Sequence, residues 1–152
     1  MKREIKIMEK IDHECLAKLY EASQAGVKIE LLIRGICAVQ PGIKGVSENI
    51  TVKSILGRFL EHSRIYHFIN GGQDEYWIGS ADLMGRNLDR RVESLVLIQR
   101  KEHVTRLQGL LDLGLSDETA SWELQETTWT RNKKKGLANA HSVLIDHYAK
   151  DR

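Results

Sequence analysis

The sequence predicts a single α/β domain in which a mixed sheet is flanked by helices. Two observations lead to this prediction: strand-like and helix-like segments alternate along the chain, and the first strand, helix and strand follow one another as a βαβ unit. A glycine turn between two later strand-like runs adds a hairpin. With 152 residues, the chain has the length of one domain, which buries roughly 68 to 70% of its unfolded surface. We therefore expect residues 1–152 to form one domain.

The βαβ unit occupies the first part of the chain. Residues 2–8 alternate charged and apolar side chains, as a strand does. Apolar residues recur at helical spacing over residues 12–26, where Asp12 is suited to begin the helix and Gly26 to end it. Residues 27–36 are rich in branched apolar side chains, which predicts a strand that is buried on both faces if the sheet is parallel. Residues 37–49 predict a loop at its carboxyl end, the edge that ligands favour in α/β sheets.

The rest of the chain continues the alternation of strands and helices. Residues 50–61 fit neither pattern clearly. Residues 64–69 and 75–78 predict the two strands of the hairpin, with a glycine turn at residues 70–74. After these we expect a strand at residues 94–98, a helix at residues 102–113, a basic stretch at residues 131–135 and a final helix over residues 137–148.

Composition excludes several classes of protein. Hydrophobic residues make up 41% and charged residues 29% of the chain, which is ordinary for a globular domain and argues against disorder. The net charge of +2 is too small to indicate a nucleic-acid partner. Apolar runs are shorter than the ~20 residues of a membrane span. Two cysteines without CxxC spacing favour reduced thiols, so we expect a cytoplasmic protein, with peripheral membrane attachment left open.

The densest polar cluster lies in residues 79–93. A strand that ends in Gly-Ser can present backbone N–H groups and a hydroxyl, and arginine offers a planar fork that matches phosphate oxygens. The cluster therefore indicates an oxyanion site, although a turn followed by a solvated, salt-bridged helix explains the same charges. Its candidate supporting residues are Ser80, Asp82, Arg86, Asn87, Arg91 and Glu93.

Two further residues are candidates for phosphate chemistry. His62 precedes a predicted strand, and the positive charges of Arg58 and Arg64 beside it favour a neutral imidazole, which can attack or hydrogen-bond phosphate. Arg34 interrupts an apolar strand near its carboxyl end, where a buried guanidinium without an anion is costly. A structural carboxylate such as Glu48 could equally pair with Arg34.

Several long motifs resemble those of polyphosphate kinases, both in their order and in their spacing. The similarity covers residues 12–98, whereas residues 99–152, expected to be a helical C-terminal part, match less well after residue 113. The motifs are LIRGIC at 32–37, PGIKGVSENI at 41–50, GRFLEHSRI at 57–65, NGG at 70–72, GSADLM at 79–84 and RNLDRRVE at 86–93.

The resemblance implies a phospholipase-D-like fold and a C-terminal domain that supplies the second histidine of a shared site. In that family two similar domains face each other, and each contributes a histidine. His62 resembles the histidine of the second domain and is the implied catalytic residue, while Arg34 and His62 match contacts to nucleotide phosphates. The phosphorylated nucleophile is the histidine of the first domain, which we expect to be absent here, so that this chain is inactive alone.

The implied reaction is the reversible transfer of the terminal phosphate of ATP to inorganic polyphosphate through a phosphohistidine. ATP or ADP and polyphosphate are the implied ligands, and Mg²⁺ is expected for the full enzyme without an identifiable ligand here. The implied protein partners are the remaining domains of the parent kinase and further copies in a homo-oligomer. No specific nucleic acid is expected.

Two other functions are open on the sequence. A non-catalytic module could bind polyphosphate or other anions through the arginine cluster and the basic stretch at residues 131–135. Alternatively, a phospholipase-D-like phosphodiesterase could assemble its site from two copies of this domain. The usual His-x-Lys pattern of that superfamily is replaced here by His62-Ser63-Arg64, which argues against the phosphodiesterase.

Overall fold

A computed structural model describes residues 3–8, 13–34 and 37–150 of the chain. These residues form eight strands and four helices. In chain order they are β1 (Arg3–Met8), α1 (His13–Gln24), β2 (Lys28–Leu32), β3 (Ile50–Ile55), β4 (Ile65–Asn70), β5 (Gln73–Gly79), α2 (Gly85–Leu88), β6 (Leu95–Ile98), α3 (Lys101–Leu115), β7 (Ser121–Gln125), β8 (Thr128–Arg131) and α4 (Ala140–Ala149).

The strands form one mixed sheet in the order β6-β5-β4-β1-β2-β3-β7-β8. The three central neighbours β1, β2 and β3 are parallel, and every other pairing is antiparallel. Parallel strands need a crossover connection, so α1 lies between β1 and β2, and the described residues between β2 and β3, 33–34 and 37–49, form a loop. The predicted βαβ unit and the predicted mixed sheet flanked by helices are confirmed.

The sheet separates two apolar clusters. On one face, Leu16 and Leu19 of α1 pack against Ile29 and Leu31 of β2. On the other face, Leu111 of α3 lies in a cluster with the β2 and β4 residues Leu32 and Ile65. Burying one such side chain fully is worth roughly 1.5–3 kcal/mol. Helices therefore cover the centre of the sheet on both faces.

The predicted strand at residues 27–36 is shorter than expected. β2 ends at Leu32, where its register with β1 ends at Met8, although the Ile33 N–H still donates to the Lys53 carbonyl at 2.9 Å. Asp12, Gly35 and Ile36 lie outside the described residues. The hairpin of β4 and β5 is confirmed, as are strand β6 and helix α3 within one or two residues.

The expectation of a helical part at residues 99–152 is wrong in its middle. Residues 121–131 form a hairpin, β7 and β8, whose first strand pairs with β3 at the sheet's other side. The two-residue turn has no Gly, Asn or Pro to signal it, and Glu126 takes a positive φ of 54° there. The final helix also begins later, at Ala140, because Asn139 caps it through a hydrogen bond from the Ser142 N–H.

A buried serine orders the loop that follows β2. Ser47 is fully buried; its hydroxyl donates to the Gln40 carbonyl at 2.5 Å and accepts the Ile43 N–H at 3.1 Å. The Gln40 N–H in turn donates to the hydroxyl of Tyr20 on α1 at 2.9 Å. These bonds satisfy backbone N–H and C=O groups that would otherwise have no hydrogen-bond partner in a loop without regular structure. The predicted loop is confirmed, and it is tied to α1.

None of the helices in the described ranges is both long and apolar enough to span a bilayer.

Candidate functional site

Several strand ends meet at one edge of the sheet. Leu32 at the end of β2 is in register with Met8 of β1, which is in register with Ile65 at the start of β4. Ile65 is paired in turn with Ile78, near the end of β5. We call this edge the site edge. It carries Arg34 just after β2, His62 just before β4, and Ser80 just after β5.

Arg34 and His62 approach the site edge from strands that are second neighbours. β1 lies between β2 and β4, and neighbouring strands are about 4.8 Å apart, so the two strand ends are separated by about 10 Å. The spacing is compatible with a single extended anion contacting both side chains. The site edge also includes the carboxyl end of β2, and α/β sheets favour ligands at the carboxyl ends of their strands.

Arg34 is partly buried and sits beyond the last paired residue of β2. Within the described part of the chain, no carboxylate forms an ion pair with its guanidinium, and Glu48 is an exposed residue of the loop rather than its partner. A partly buried guanidinium without a counter-charge is costly unless an anion binds it. Arg34 is therefore available for an anionic ligand.

The backbone of His62 is fixed, while its imidazole is exposed. The His62 carbonyl accepts a hydrogen bond from Arg64 Nη1 at 3.0 Å. The same guanidinium donates from Nε and Nη2 to Asp82 Oδ1, at 3.2 and 2.8 Å. In the described ranges, no side chain is hydrogen-bonded to the imidazole itself. Arg64 thus connects the segment of His62 to the segment of Asp82 by hydrogen bonds. Asp82 contacts this arginine rather than the histidine.

Ser80 and Asn87 hold the carboxylate of Glu93. The Ser80 hydroxyl donates to Glu93 Oε2 at 2.6 Å, and Asn87 Nδ2 donates to Oε1 at 2.8 Å. The hydrogen bond from Ser80, then that from Asn87, then the positive charges of Arg91 and Arg64, hold the pKa of Glu93 below its ordinary value. Glu93 is therefore ionised at neutral pH.

Ser80 does not present free donors to an anion in this geometry. Its N–H donates to the Ser94 carbonyl and its hydroxyl accepts the Ser94 N–H, both at 3.1 Å, in addition to the bond to Glu93. Its contacts support Glu93 and join the end of β5 to the start of β6. Asn87 is only 3% exposed, and its Oδ1 has no hydrogen-bond partner in the described part of the chain, so this acceptor is open to a donor.

The other two candidates of the polar cluster are less defined. Arg91 is exposed at the surface, near enough to Glu93 to influence its charge. Arg86 lies in the short helix α2, and its side chain lies outside what the structure describes. A direct contact of either arginine to phosphate stays a prediction.

Sequence reasoning missed two residues beside His62. Glu61 lies in the loop that carries His62, and His141 contacts this loop from α4, 82 residues along the chain from Phe59. A lone histidine inside the helix predicted over residues 137–148 carries no sequence signal for such a contact. Among the described residues, no group of three His, Cys, Asp or Glu side chains could hold a metal ion.

Comparison with known proteins identifies the family. The family model of "Polyphosphate kinase C-terminal domain 2" matches residues 3–143, which extends beyond the sequence motifs at both ends. The polyphosphate kinase of Streptomyces coelicolor is 50% identical over 147 residues, covering 93% of this chain and 20% of that protein. The polyphosphate kinase of Prochlorococcus marinus is 56% identical over 115 residues, covering 76% of this chain and 16% of that protein.

A solved structure agrees with this assignment. The crystal structure of polyphosphate kinase from Porphyromonas gingivalis superposes with a TM-score of 0.89 at 28% identity, covering 99% of this chain and 24% of that one. The chain thus spans about a fifth of the length of the curated relatives it matches. The predicted phospholipase-D-like α/β fold is confirmed. The chain belongs to the polyphosphate kinase family and corresponds to its C-terminal domain 2.

Proposed function

We propose that this domain is the part of a polyphosphate kinase that binds phosphate opposite the nucleophile. In the proposed reaction the terminal phosphate of ATP passes to a histidine and then, reversibly, to inorganic polyphosphate. One observation carries the proposal: an arginine without a carboxylate partner and an exposed histidine approach the same edge of the sheet, in a chain that is 50% identical to polyphosphate kinases.

Arg34 is proposed as the main electrostatic contact. Phosphoryl transfer depends on positioning and on neutralising the charge of the transferred group, and one well-placed arginine can be worth ~10³ to 10⁵ in rate. Because Arg34 has no competing carboxylate in the described part of the chain, its full charge is available to a phosphate. Its guanidinium would bind two phosphate oxygens through parallel N–H donors.

His62 is proposed to face the phosphate from the start of β4, with β1 lying between β4 and the strand that precedes Arg34. The nucleophilic nitrogen attacks the terminal phosphorus, and the bond from that phosphorus to the bridging oxygen breaks, so that ADP leaves. His62 would donate a hydrogen bond or a proton to a phosphate oxygen during this step. The nucleophile itself is proposed to come from another domain of a longer enzyme.

The remaining site residues have supporting roles in this proposal. Asp82 keeps Arg64 on the backbone of His62, and Ser80 and Asn87 fix Glu93. Arg86 and Arg91 are proposed as additional phosphate contacts. Since Asp82 and Glu93 are already bonded to protein donors, the described residues do not fit a Mg²⁺ site, and no step is assigned to a metal here.

The wider setting of the domain is part of the same proposal. ATP or ADP and polyphosphate are its small ligands, and the other domains of a longer kinase, assembled as a homo-oligomer, are its protein partners. The proposed location is the cytoplasm, with peripheral attachment to a membrane as an alternative. A solely anion-binding module, or a phosphodiesterase built from two copies of the domain, are the competing functions.

The test combines binding with turnover on the same protein. Binding of polyphosphate and ATP to the 152-residue chain is measured by calorimetry, and ATP formation from ADP and polyphosphate is followed with the same sample. We expect binding without turnover. Turnover by the chain alone would contradict a nucleophile located elsewhere, absence of binding would reject the phosphate site, and hydrolysis of bis(4-nitrophenyl) phosphate would favour the phosphodiesterase.

A further inference from the structure

The loop that carries His62 packs on a histidine from the last helix. His141 is the second residue of α4 and is only 7% exposed. Its Nδ1 accepts the backbone N–H of Phe59 at 3.1 Å, and the two rings are tilted with their centres 5.7 Å apart. The residues are 82 positions apart in the chain, so this contact exists only in the folded domain.

The hydrogen bond from Phe59 determines which ring nitrogen of His141 carries the proton. An Nδ1 that accepts an amide N–H needs its lone pair, so the neutral ring is protonated at Nε2. That Nε2 lies 3.6 Å from Glu61 Oε2, beyond a direct hydrogen bond but close enough for electrostatic attraction. His141 therefore accepts a hydrogen bond from Phe59 at Nδ1 and faces the carboxylate of Glu61 with Nε2. Both of these loop residues precede His62.

Glu61 extends this contact to the other side of His62. Its Oε1 accepts hydrogen bonds from the N–H and the hydroxyl of Ser63, at 3.1 and 2.6 Å. Burial by itself raises the pKa of Glu61, but the bonds from Ser63 and the attraction to His141 outweigh burial and hold the pKa below its ordinary value. The carboxylate is ionised near neutral pH, and it links His141 to the residue after His62.

The loop approaches the His141 ring too closely for any side chain at residue 57. A Cβ added to Gly57 would come within 2.9 Å of the ring atoms Cε1 and Cγ of His141, and closer still to Nδ1. Real Cβ atoms essentially never make such contacts, so any other residue would displace the ring or the loop. The glycine and the histidine are matched to each other in shape.

We propose that His141 is a positioning residue that holds the loop of residues 57–63, and with it the imidazole of His62, against the site edge. The proposal rests on the proposed function of His62 in phosphate binding. A purely space-filling role would be satisfied by an apolar side chain of similar size. A positioning role requires an acceptor at the place of Nδ1, which asparagine retains in its Oδ1 and leucine lacks.

The first experiment measures the contact itself in the 152-residue chain. Nitrogen-15 NMR of labelled histidine reports the tautomer of His141, and hydrogen exchange reports the amides of Phe59 and Ser63. We expect the Nε2–H tautomer, faster exchange of both amides in His141→Leu, and near wild-type exchange in His141→Asn. His147→Leu, on the exposed side of the same helix, is the matched control and is expected to change neither amide.

The second experiment follows the His62 ring signals while tripolyphosphate is added. We expect His141→Leu to weaken binding roughly fivefold to tenfold, the effect of about one lost hydrogen bond, with recovery to within about twofold in His141→Asn. An Nδ1–H tautomer, or a folded His141→Leu with unchanged loop exchange and affinity, would overturn the proposal. If His141→Leu fails to fold, the tautomer and the His141→Asn exchange decide it.

These measurements separate the two proposals. If wild-type protein does not bind tripolyphosphate, the proposed phosphate site fails, while the tautomer and the amide exchange still decide whether His141 holds the loop. If wild-type protein binds tripolyphosphate and the variants His141→Leu, His141→Asn and His147→Leu bind it with the same affinity, the phosphate site stands and the positioning role of His141 is rejected.

Discussion

Arg64 and Asp82 form an ion pair in which two guanidinium nitrogens, Nε and Nη2, donate to the same carboxylate oxygen at 3.2 and 2.8 Å. Their side chains are only 14% and 15% exposed. Because Arg64 also donates to the His62 carbonyl, the pair connects the segment after β5 to the segment before β4. The position of His62 therefore depends on a charge pair whose two partners are 18 residues apart.

Removing one partner of this pair is expected to be costly. Asp82→Ala leaves the Arg64 charge largely buried without its carboxylate, and we expect the free energy of unfolding to fall by about 3 kcal/mol in urea titrations. Glu21→Ala is the control, because it breaks a pair with Lys18 whose side chains are 77% and 62% exposed, and such pairs contribute about 0–1 kcal/mol. Equal losses in the two variants would contradict a structural role for Asp82.

Arg34→Ala is expected to weaken the binding of ATP and polyphosphate by about tenfold or more, because it removes a charge-assisted contact worth about 1.5–3 kcal/mol. Arg100→Ala is the matched control, since Arg100 is exposed beyond the end of β6 that lies opposite the site edge. Lys134→Ala, which breaks an exposed pair with Glu118, is a second control. Similar losses in all three variants by calorimetry would remove Arg34 from the site.

His62→Ala is expected to abolish measurable turnover in a full-length polyphosphate kinase that carries this domain. If the imidazole acts as an acid or a base, the rate should fall by about 10²-fold or more. The fold should be unaffected because the imidazole is exposed, which circular dichroism and the melting temperature check. His103→Ala, on the exposed face of α3, is the same change outside the site edge. Full activity of His62→Ala would exclude the histidine from the reaction.

The carboxylates of Glu61 and Glu93 give a reciprocal test of the hydrogen-bond geometry. The pKa of Glu93 is lowered mainly by Ser80, whereas bonds from Ser63 contribute to the lowered pKa of Glu61. We expect Ser80→Ala to raise the pKa of Glu93 alone, and Ser63→Ala to raise that of Glu61 alone, in carbon-13 NMR titrations. A shift of both groups in either variant would indicate a general loosening of the site instead.

The same pKa shifts have a consequence for stability that can be given a sign. Both carboxylates have a folded pKa below the unfolded value, so the folded state favours their ionised forms. Their contribution is present above the unfolded glutamate pKa of about 4.3 and is lost as the pH falls through the lower folded values. Glu93→Gln should accordingly flatten the fall of the melting temperature with acid below about pH 4.

Secondary structure was predictable wherever local pattern and tertiary environment agreed. The helix of α1 and the hairpin of β4 and β5 have clear periodicity and a glycine turn, with Gly71 and Gly72 at positive φ, and both were predicted. The hairpin of β7 and β8 was missed because its turn lacks those residues and Glu126 adopts the positive φ instead. Pairing with β3 supplies the stability that the local sequence does not signal.

The sequence by itself determined the class of fold, the family and the chemistry available at the site. Arg34 and His62 stand in long motifs close to predicted strands, although β2 ends at Leu32 and not at residue 36 as predicted. The tertiary structure alone decided which polar side chains are engaged by other protein groups. Ser80 is bonded to Glu93, Arg64 is paired with Asp82, and His141 contacts the loop of residues 57–63. The physical reason is that hydrogen bonds and burial depend on distances between segments far apart in the chain, which residue order does not contain.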